Sequence, residues 1–232
     1  MRTLSDNIFR RYEKKYLLTD SQRELLFSRI NEYLIPDRFA HSTVCNIYFD
    51  TENSDLIVKS IEKPIYKEKL RLRSYSTPKM EDEVFLEIKS KHDGIVGKRR
   101  VILSLKDFYH YLNDHQFDTD NQIMKEIDYF FQYYDLMPAI YIAYDRESFV
   151  GKEEPDLRIT LDSNLRYRYD DLKIEDGDHG RLYFDKPTYI MEIKTLGGMP
   201  LWLVHALSDL KIYPSSFSKY GKIYIKGENE KC

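Results

Sequence analysis

The chain has 232 residues, with 36 Lys and Arg against 39 Asp and Glu, which gives a formal net charge of −3. This length can bury one large core or two small ones, and the near balance of charge argues against a general nucleic-acid-coating protein. Because there are 20 Tyr but only 9 Gly, the composition favours strands and leaves little room for a glycine-rich nucleotide loop.

The hydrophobic periodicity predicts four covering helices. The first is capped by Thr19 and Asp20 and ends at Pro36, two more cover residues 104–114 and 120–134, and the last begins after Pro200.

The segments between the helices alternate with a period of two and predict roughly nine strands, at residues 11–18, 43–50, 66–75, 83–89, 98–103, 139–146, 157–162, 189–194 and 222–226. Short polar links join several consecutive strands, which favours antiparallel pairing. Residues 170–180 are expected to form an exposed loop. The predicted class is α+β, as one domain over residues 1–232.

The cysteines and the N-terminus bear on location. Cys45 and Cys232 form neither a disulfide framework nor a metal-binding spacing, so we expect a reducing, cytoplasmic location. Residues 1–9 lack the apolar core of a signal peptide, and the longest uncharged stretch, residues 195–208, is too short to span a bilayer. We therefore expect no direct membrane insertion.

Charged side chains recur on one face of many predicted strands. In residues 66–75 that face carries Lys67, Lys69, Arg71 and Arg73, because side chains two apart point the same way. Other strands show Glu13 with Lys15, Glu87 with Lys89, Lys98 with Arg100, Arg158 with Thr160 and Asp162, and Glu192 with Lys194. Any single strand is consistent with the solvent face of an open sheet. The recurrence of cations in a slightly acidic chain instead favours a closed barrel of about eight strands with its charged faces inward.

Such a barrel interior implies a polyanion and a metal. Many unpaired buried cations would be prohibitive unless the interior were hydrated and occupied by an anion. Phosphate fits, since Arg binds its oxygens bidentately and Lys supplies compact charge. Carboxylates in the same interior suit Mg²⁺ or Mn²⁺ bridging phosphate oxygens. Two of these carboxylates occur in a repeated apolar-Glu-Ile-Lys sequence, at residues 86–89 and 191–194.

The ordered succession of motifs resembles the polyphosphate-polymerase domain of vacuolar transporter chaperone (VTC) proteins, within the triphosphate tunnel metalloenzyme superfamily. The motifs are RYEKKY at residues 11–16, YFD at 48–50, KLRLR at 69–73, EIK at 87–89, GKRR at 97–100, YDR at 144–146, LRITLD at 157–162, MEIK at 191–194 and FSKY at 217–220.

The resemblance implies a reaction and a set of residues. The γ-phosphate of ATP would be transferred to a growing polyphosphate chain, with release of ADP. The resemblance and the charged faces together assign catalytic roles to Lys15, Arg71, Arg73 and Lys219, and substrate binding to Lys69, Lys89, Lys98, Arg100, Arg146, Arg158 and Lys194. Glu192 matches the metal-binding glutamate, helped by Glu13 or Glu87, and the cofactor would be Mn²⁺ or Mg²⁺.

Several alternatives stay open at the sequence level. Glu13 could form a surface ion pair, and Glu87 could order Lys89 or an arginine. Arg11 stands where hydrolases of the superfamily carry the first glutamate of Glu-x-Glu-x-Lys, which argues against a plain triphosphatase or cyclase. The competing functions are a metal-dependent triphosphate or polyphosphate hydrolase and a non-catalytic polyanion-binding module. The family also suggests a membrane protein as a partner that accepts the product.

Overall fold

The computed structural model describes residues 12–93, 95–117 and 120–231. Arg11 therefore lies outside the described residues. The strands are β1 (Tyr12–Thr19), β2 (Leu34–Asp50), β3 (Tyr66–Ser74), β4 (Glu83–His92), β5 (Ile95–Ser104), β6 (Met137–Gly151), β7 (Arg158–Arg168), β8 (Arg181–Leu182) and β9 (Thr188–Thr195). The helices are α1 (Asp20–Ile30), α2 (Asp55–Ile61), α3 (Leu105–Asp114), α4 (Gln122–Tyr134), α5 (Leu201–Asp209) and α6 (Lys219–Lys231), with a short 3₁₀ turn at Asn31–Tyr33.

The strands form one antiparallel sheet, which confirms the α+β class. Their order is β1-β9-β7-β6-β2-β3-β4-β5, and β8 pairs with β7. In the described part of the chain no backbone pairing joins β1 to β5, so the predicted closed barrel is not confirmed. No described helix combines the length and apolar character needed to cross a membrane.

The chain divides into two compact units. Among the described residues, unit 1 comprises residues 12–42, 146–164 and 184–217, and unit 2 comprises the described residues within 43–145, 165–183 and 218–231. The long strands β2, β6 and β7 contribute residues to both units. The single domain stays a prediction.

The core of unit 1 lies between the sheet and two helices. Apolar residues on alternate positions of β1, β7 and β9 pack against α1 and α5. They include Tyr16, Leu18, Ile159, Leu161, Met191 and Ile193 on the strands, and Leu26, Ile30, Leu203 and Leu207 on the helices. The charged residues at the intervening positions must therefore point to the opposite face of the sheet.

Helix α1 is shorter than predicted. Thr19 caps its start, since the Thr19 hydroxyl accepts a hydrogen bond from the Gln22 amide at 3.2 Å and the Gln22 side chain accepts one from the Thr19 amide at 3.1 Å. The helix ends at Ile30, and strand β2 already begins at Leu34. Pro36 disfavours a helical conformation in the residue before it, so the helix must end well before the proline.

The core of unit 2 repeats this arrangement with different elements. Alternate residues of β2, β3 and β4 pack against α3 and α4, both of which begin close to their predicted positions. The core includes Ile47, Phe49, Leu70, Leu72 and Leu86 on the strands, and Phe108, Tyr111, Ile127 and Phe131 on the helices. The predicted division into an apolar face under helices and an opposite charged face is confirmed in this unit.

One predicted strand of unit 2 is wrong, and one predicted loop is confirmed. Residues 222–226 were expected to form a strand but lie in α6, where Tyr220 and Ile223 are buried one helical turn apart. Residues 170–180 form the predicted loop and are mostly exposed, although Ile174 within it is buried. The Arg168 guanidinium also donates hydrogen bonds to main-chain carbonyls of this segment, including those of Asp171 at 2.9 Å and His179 at 2.8 Å.

Candidate functional site

Three lysines lie side by side on the charged face of unit 2. In the strand register, Lys69 of β3 is opposite Lys89 of β4, and Lys89 is opposite Lys98 of β5. Like charges directly opposite one another destabilise a sheet. A row of three lysines across neighbouring strands is therefore an arrangement that an anion would stabilise.

Arg71 occupies the next position along β3 and is fixed from two sides. Its Nε and Nη2 atoms lie 2.9 and 2.8 Å from Oε2 of Glu87, and its Nη1 donates to the Tyr48 hydroxyl at 3.1 Å. A guanidinium has five N–H groups in a planar fork, so Nη1 and Nη2 each retain one further N–H beyond these contacts. This edge has the geometry for bidentate binding of a phosphate.

Glu87 supports these cations from a fully buried position. Its Oε1 atom lies 2.5 Å from Nζ of Lys98, while Oε2 binds Arg71. Burial raises the pKa of Glu87, but Arg71, Arg73 and Lys98 outweigh that effect and hold the pKa below its ordinary value. These contacts favour the role of a carboxylate that orders an arginine over that of a metal ligand. Glu87 and its partners Tyr48, Arg71 and Lys98 are called the Glu87 cluster below.

A second group of cations lies in the same unit around Tyr144. Arg73 donates from Nε to Oδ1 of Asn46 at 2.9 Å and from Nη2 to the Tyr144 hydroxyl at 3.2 Å. Nζ of Lys219 lies 4.1 Å from the centre of the Tyr144 ring, which is a cation–π contact. Arg73 and Lys219, both predicted as catalytic, thus contact the same tyrosine.

Lys69 of β3 also contacts the residue that precedes helix α6. Nζ of Lys69 donates to the Ser218 hydroxyl at 3.1 Å, immediately before α6 begins. Ser218 and Lys219 belong to the FSKY motif, so this motif supplies a hydroxyl and an ammonium group on the cationic side of the unit.

Unit 1 contains a second carboxylate-centred group, the Glu192 cluster, made of Glu13, Lys15, Glu192 and Lys194. Nζ of Lys15 lies 3.4 Å from Glu13 and 3.6 Å from Glu192, and it also donates to the Phe217 carbonyl at 3.3 Å. Glu192 also forms an ion pair with Lys194. The strand register explains the grouping, because Lys15 is opposite Glu192 and Glu13 is opposite Lys194.

The Glu192 cluster has carboxylates that would bind a metal ion together with substrate phosphates. Burial raises the pKa of Glu192, whereas Lys194, Lys15 and Arg146 lower it, so the carboxylate is ionised well below neutral pH. In the described residues, no group of three or more His, Cys, Asp and Glu side chains is placed to hold a metal. Mg²⁺ is commonly held by one or two carboxylates together with substrate phosphates, and Glu13 with Glu192 fits that pattern.

The remaining predicted substrate-binding residues differ in their surroundings. Arg146 makes a bidentate ion pair with buried Asp162, at 2.6 and 2.9 Å. The Arg158 side chain is 55% exposed, and its Nη1 lies 4.0 Å from Asp37. Arg100 lies 5.0 Å from the Phe85 ring centre. Arg146 also lowers the pKa of Glu192, and in the strand register Arg158 is opposite Lys194 and Arg100 is opposite Glu87.

Sequence reasoning missed the residues that hold the cations in place. Tyr48, Asn46, Tyr144 and Asp162 all contact predicted arginines. A signal was available, because each lies at a strand position that shares its face with charged residues, and three of them belong to the YFD, YDR and LRITLD motifs.

Comparison with known proteins identifies the family. A family model described as the VTC domain matches residues 10–225, so the chain belongs to the VTC domain family and the resemblance seen in its motifs is confirmed. No curated protein matches the chain.

The chain is similar to several solved structures at low sequence identity, one of them with a TM-score above 0.5. A protein of Bacillus halodurans described as a candidate adenylate cyclase is 16% identical, with a TM-score of 0.55, and the match covers 89% of this chain and 92% of that one. A Pyrococcus horikoshii protein is 14% identical with a TM-score of 0.48, covering 94% of this chain and 99% of that one. A candidate adenylate cyclase of Vibrio parahaemolyticus is 10% identical with a TM-score of 0.49, covering 92% and 97%.

Proposed function

We propose that this protein is an ATP-dependent polyphosphate polymerase. A terminal oxygen of the polyphosphate chain forms a bond to the γ-phosphorus of ATP as the bond between that phosphorus and the β–γ bridging oxygen breaks. ADP leaves with the bridging oxygen, and the chain is one phosphate longer. No nucleophilic side chain is required, since phosphoryl transfer depends mainly on positioning and on stabilisation of charge.

The observation that carries the proposal is the lysine row beside a fixed arginine. The row consists of three lysines that lie opposite one another on neighbouring strands, Lys69, Lys89 and Lys98. Arg71 is the next residue along the same face of β3, and it keeps N–H groups that can donate hydrogen bonds to a phosphate. Linear polyphosphate presents closely spaced anionic groups, which matches cations repeated across neighbouring strands. Membership of the VTC domain family supports phosphate as the anion.

The residues take separate roles in this proposal. Arg71 and Arg73 bind phosphoryl oxygens through directed N–H groups, and Lys15 and Lys219 offset charge that develops as the group transfers. The substrate phosphates are further bound by Lys69, Lys89, Lys98, Arg100, Arg146, Arg158 and Lys194. Glu87 is a positioning residue for Arg71 rather than a ligand.

Glu192, with Glu13, would hold Mn²⁺ or Mg²⁺. When bound, the ion would supply positive charge that offsets part of the charge on the substrate phosphates. Nζ of Lys15 lies 3.4 Å from Glu13 and 3.6 Å from Glu192, so a metal ion would displace this ammonium group from the two carboxylates. We also propose a cytoplasmic location, where ATP is supplied, and a membrane protein that accepts the product.

Incubation of the purified protein with ATP and Mn²⁺, followed by gel electrophoresis, tests the reaction. We expect polymer that a specific exopolyphosphatase removes, together with one ADP per phosphate incorporated. Free phosphate without polymer would identify a hydrolase. Tight binding of tripolyphosphate without ADP release would identify a binding module, and either result would overturn the polymerase proposal.

A pair of arginine variants tests the assigned face. Arg71→Ala should lower kcat/KM about 100-fold to 1,000-fold, as expected for loss of a preorganised electrostatic contact. The matched control is Arg99→Ala. Arg99 lies on the opposite face of β5 and pairs with Glu126 of α4, so its loss should leave polymer synthesis within about twofold of the wild type. Equal losses in the two variants would contradict the assignment.

A further inference from the structure

The Tyr48 hydroxyl occupies an unusual position for a phenol. The residue is 9% exposed, and its hydroxyl accepts a hydrogen bond from Nη1 of Arg71 at 3.1 Å. Within the described residues, no hydrogen bond from the Tyr48 hydroxyl to an acceptor is formed. A phenol oxygen of a buried residue that accepts from a guanidinium and donates to none of the described residues is in surroundings that favour its anion.

The groups around Tyr48 come from several elements and are mainly cationic. Strand β3 contributes Lys69, Arg71 and Arg73, and these three lower the pKa of the phenol. Helix α6 contributes Tyr220, whose ring centre lies 5.1 Å from that of Tyr48.

Two carboxylates face this region, but each is engaged elsewhere. Glu87 of β4 binds the far side of Arg71 and also pairs with Lys98. Asp50, two residues beyond Tyr48, accepts hydrogen bonds from the amides of Leu56 and Ile57 and from the Tyr220 hydroxyl. The Tyr144 hydroxyl of β6 accepts from Arg73. None of these groups is hydrogen-bonded to the Tyr48 oxygen.

We infer that the Tyr48 phenol positions Arg71 for phosphate and takes up a proton from solvent when a phosphate group binds. The inference deepens the proposed function, on which it rests for the identity of the anion. Before binding, the phenolate is stabilised by Lys69, Arg71 and Arg73. A phosphate bound to Arg71 adds negative charge beside that oxygen and restores the neutral phenol. Because the neutral phenol no longer offsets the positive charge of these three side chains, their full charge is available to the substrate.

The titration supports this geometry. Burial raises the pKa of Tyr48, but the charges of Arg71, Arg73 and Lys69 outweigh burial and bring the pKa to about 7. Above pH 7 the free protein then carries the phenolate, and an anion binds to it less well. Bound phosphate raises the pKa of Tyr48, so binding at pH 8 consumes a proton and the affinity falls as the pH rises.

Near-ultraviolet difference absorption tests the inference directly, because tyrosinate absorbs at longer wavelength than tyrosine. For the ligand-free protein we expect one tyrosinate to form with a midpoint near pH 7, the value to which the pKa of Tyr48 is lowered. The step should be missing from Tyr48→Phe and retained in Tyr220→Phe. Tyr220 donates to Asp50, and burial followed by the charge of Asp50 raises its pKa, so Tyr220 stays protonated.

Binding of inorganic tripolyphosphate provides the second readout. At pH 8 the ligand should abolish the tyrosinate signal of the wild type. The ratio of the wild-type dissociation constant to that of Tyr48→Phe should rise above pH 7, by up to about tenfold per pH unit, because one proton is linked to binding. The ligand's own titration cancels in this ratio.

The possible results separate the two proposals. A wild type that binds tripolyphosphate while its absorption shows no tyrosinate below pH 9 would overturn the inference, and so would a constant ratio of dissociation constants. Polymer synthesis with no tyrosinate step would leave the polymerase standing and remove the role of Tyr48. If tripolyphosphate binding is coupled to protonation of Tyr48 but ATP yields no polymer, the role of Tyr48 stands and the polymerase proposal fails.

Discussion

The two apolar-Glu-Ile-Lys segments place their glutamates in clusters that differ in how closed they are. The Glu87 side chain is 0% exposed and binds Arg71 and Lys98, whereas the Glu192 side chain is 14% exposed and binds Lys15 and Lys194. Both carboxylates are flanked by two cations, and the pKa of each is lowered. The four-residue sequence is thus used once in a closed cluster and once in a more open one.

Neighbouring strands cause this difference. Strand β4 lies between β3 and β5, which supply Arg71 and Lys98, while Tyr48 of β2 closes the far side of Arg71. Strand β9 lies between β1 and β7, which place Lys15 and Thr160 opposite Glu192. The side chains of Lys15 and Lys194 are partly exposed and can move away from Glu192, whereas the Arg71 guanidinium is held by both Glu87 and Tyr48. Glu87 therefore orders a cation, and we propose that Glu192 exchanges its lysines for a metal ion.

Removal of each carboxylate gives the largest expected contrast. Glu87→Ala removes the main counter-ion of Arg71, whose side chain is only 14% exposed, so the free energy of unfolding should fall by about 3–5 kcal/mol. Glu192→Ala leaves two partly exposed lysines that water can solvate, and the loss should be about 1 kcal/mol. Urea denaturation monitored by circular dichroism measures both values. Equal losses would show that the two clusters are equivalent in stability.

Exchange of the cations sharpens the comparison at the level of activity. Arg71→Lys keeps the charge but loses the planar fork, so kcat/KM for polymer synthesis should fall about 100-fold. Lys15→Arg keeps a charge in the more open cluster and should cost about tenfold or less. Steady-state kinetics with ATP as the varied substrate gives both ratios. A larger loss of kcat/KM in Lys15→Arg would contradict the proposal that Arg71 of the Glu87 cluster makes the hydrogen bonds to phosphate on which catalysis depends.

Alternation along the strands made much of this arrangement predictable. A period of two placed Lys69, Arg71 and Glu87 on the side away from the core, and the structure confirms that division. Pairing between strands was not predictable from the pattern. The sequence around Glu87 does not indicate whether its partner is Lys89 or an arginine, because the partner depends on register across β3 and β5.

Helix α6 shows where local alternation fails. Lys222 to Lys226 alternates like a strand, but burial of Tyr220 and Ile223 stabilises a helix. The tertiary bond from the Tyr220 hydroxyl to Asp50, at 2.9 Å, joins residues 170 positions apart. A local pattern carries no information about such a contact.

Metal dependence tests whether the more open cluster is the one that binds the ion. Glu192→Gln should raise the Mn²⁺ concentration needed for half-maximal polymer synthesis by about tenfold or more, since a ligating charge is lost. Glu87→Gln should lower the rate while leaving that concentration within about twofold of the wild type, because Glu87 is engaged by Arg71 and Lys98. The concentration is measured by titrating Mn²⁺ at fixed ATP. If that Mn²⁺ concentration rises in Glu87→Gln but not in Glu192→Gln, Glu87 and not Glu192 would be the metal ligand.

Acid stability provides the smallest and most quantitative contrast. Both glutamates have a lowered pKa in the folded protein, so each stabilises the fold above the unfolded-state pKa of about 4.3, and this stabilisation is lost as the pH falls through the folded value. Each group contributes a slope of at most about 1.4 kcal/mol per pH unit below that point. Urea denaturation of the wild type, Glu87→Gln and Glu192→Gln between pH 5 and pH 3 measures the slopes.

Each of the two substitutions should reduce the slope of the wild type, because a glutamine binds no proton in this range. The closed cluster then differs from the open one in its response to salt. Ion pairs near solvent are screened, while buried pairs are screened much less. Added sodium chloride should therefore reduce the slope that Glu192 contributes and leave the slope from Glu87 nearly unchanged. A slope from Glu87 that is equally sensitive to salt would show that solvent reaches its pair with Arg71.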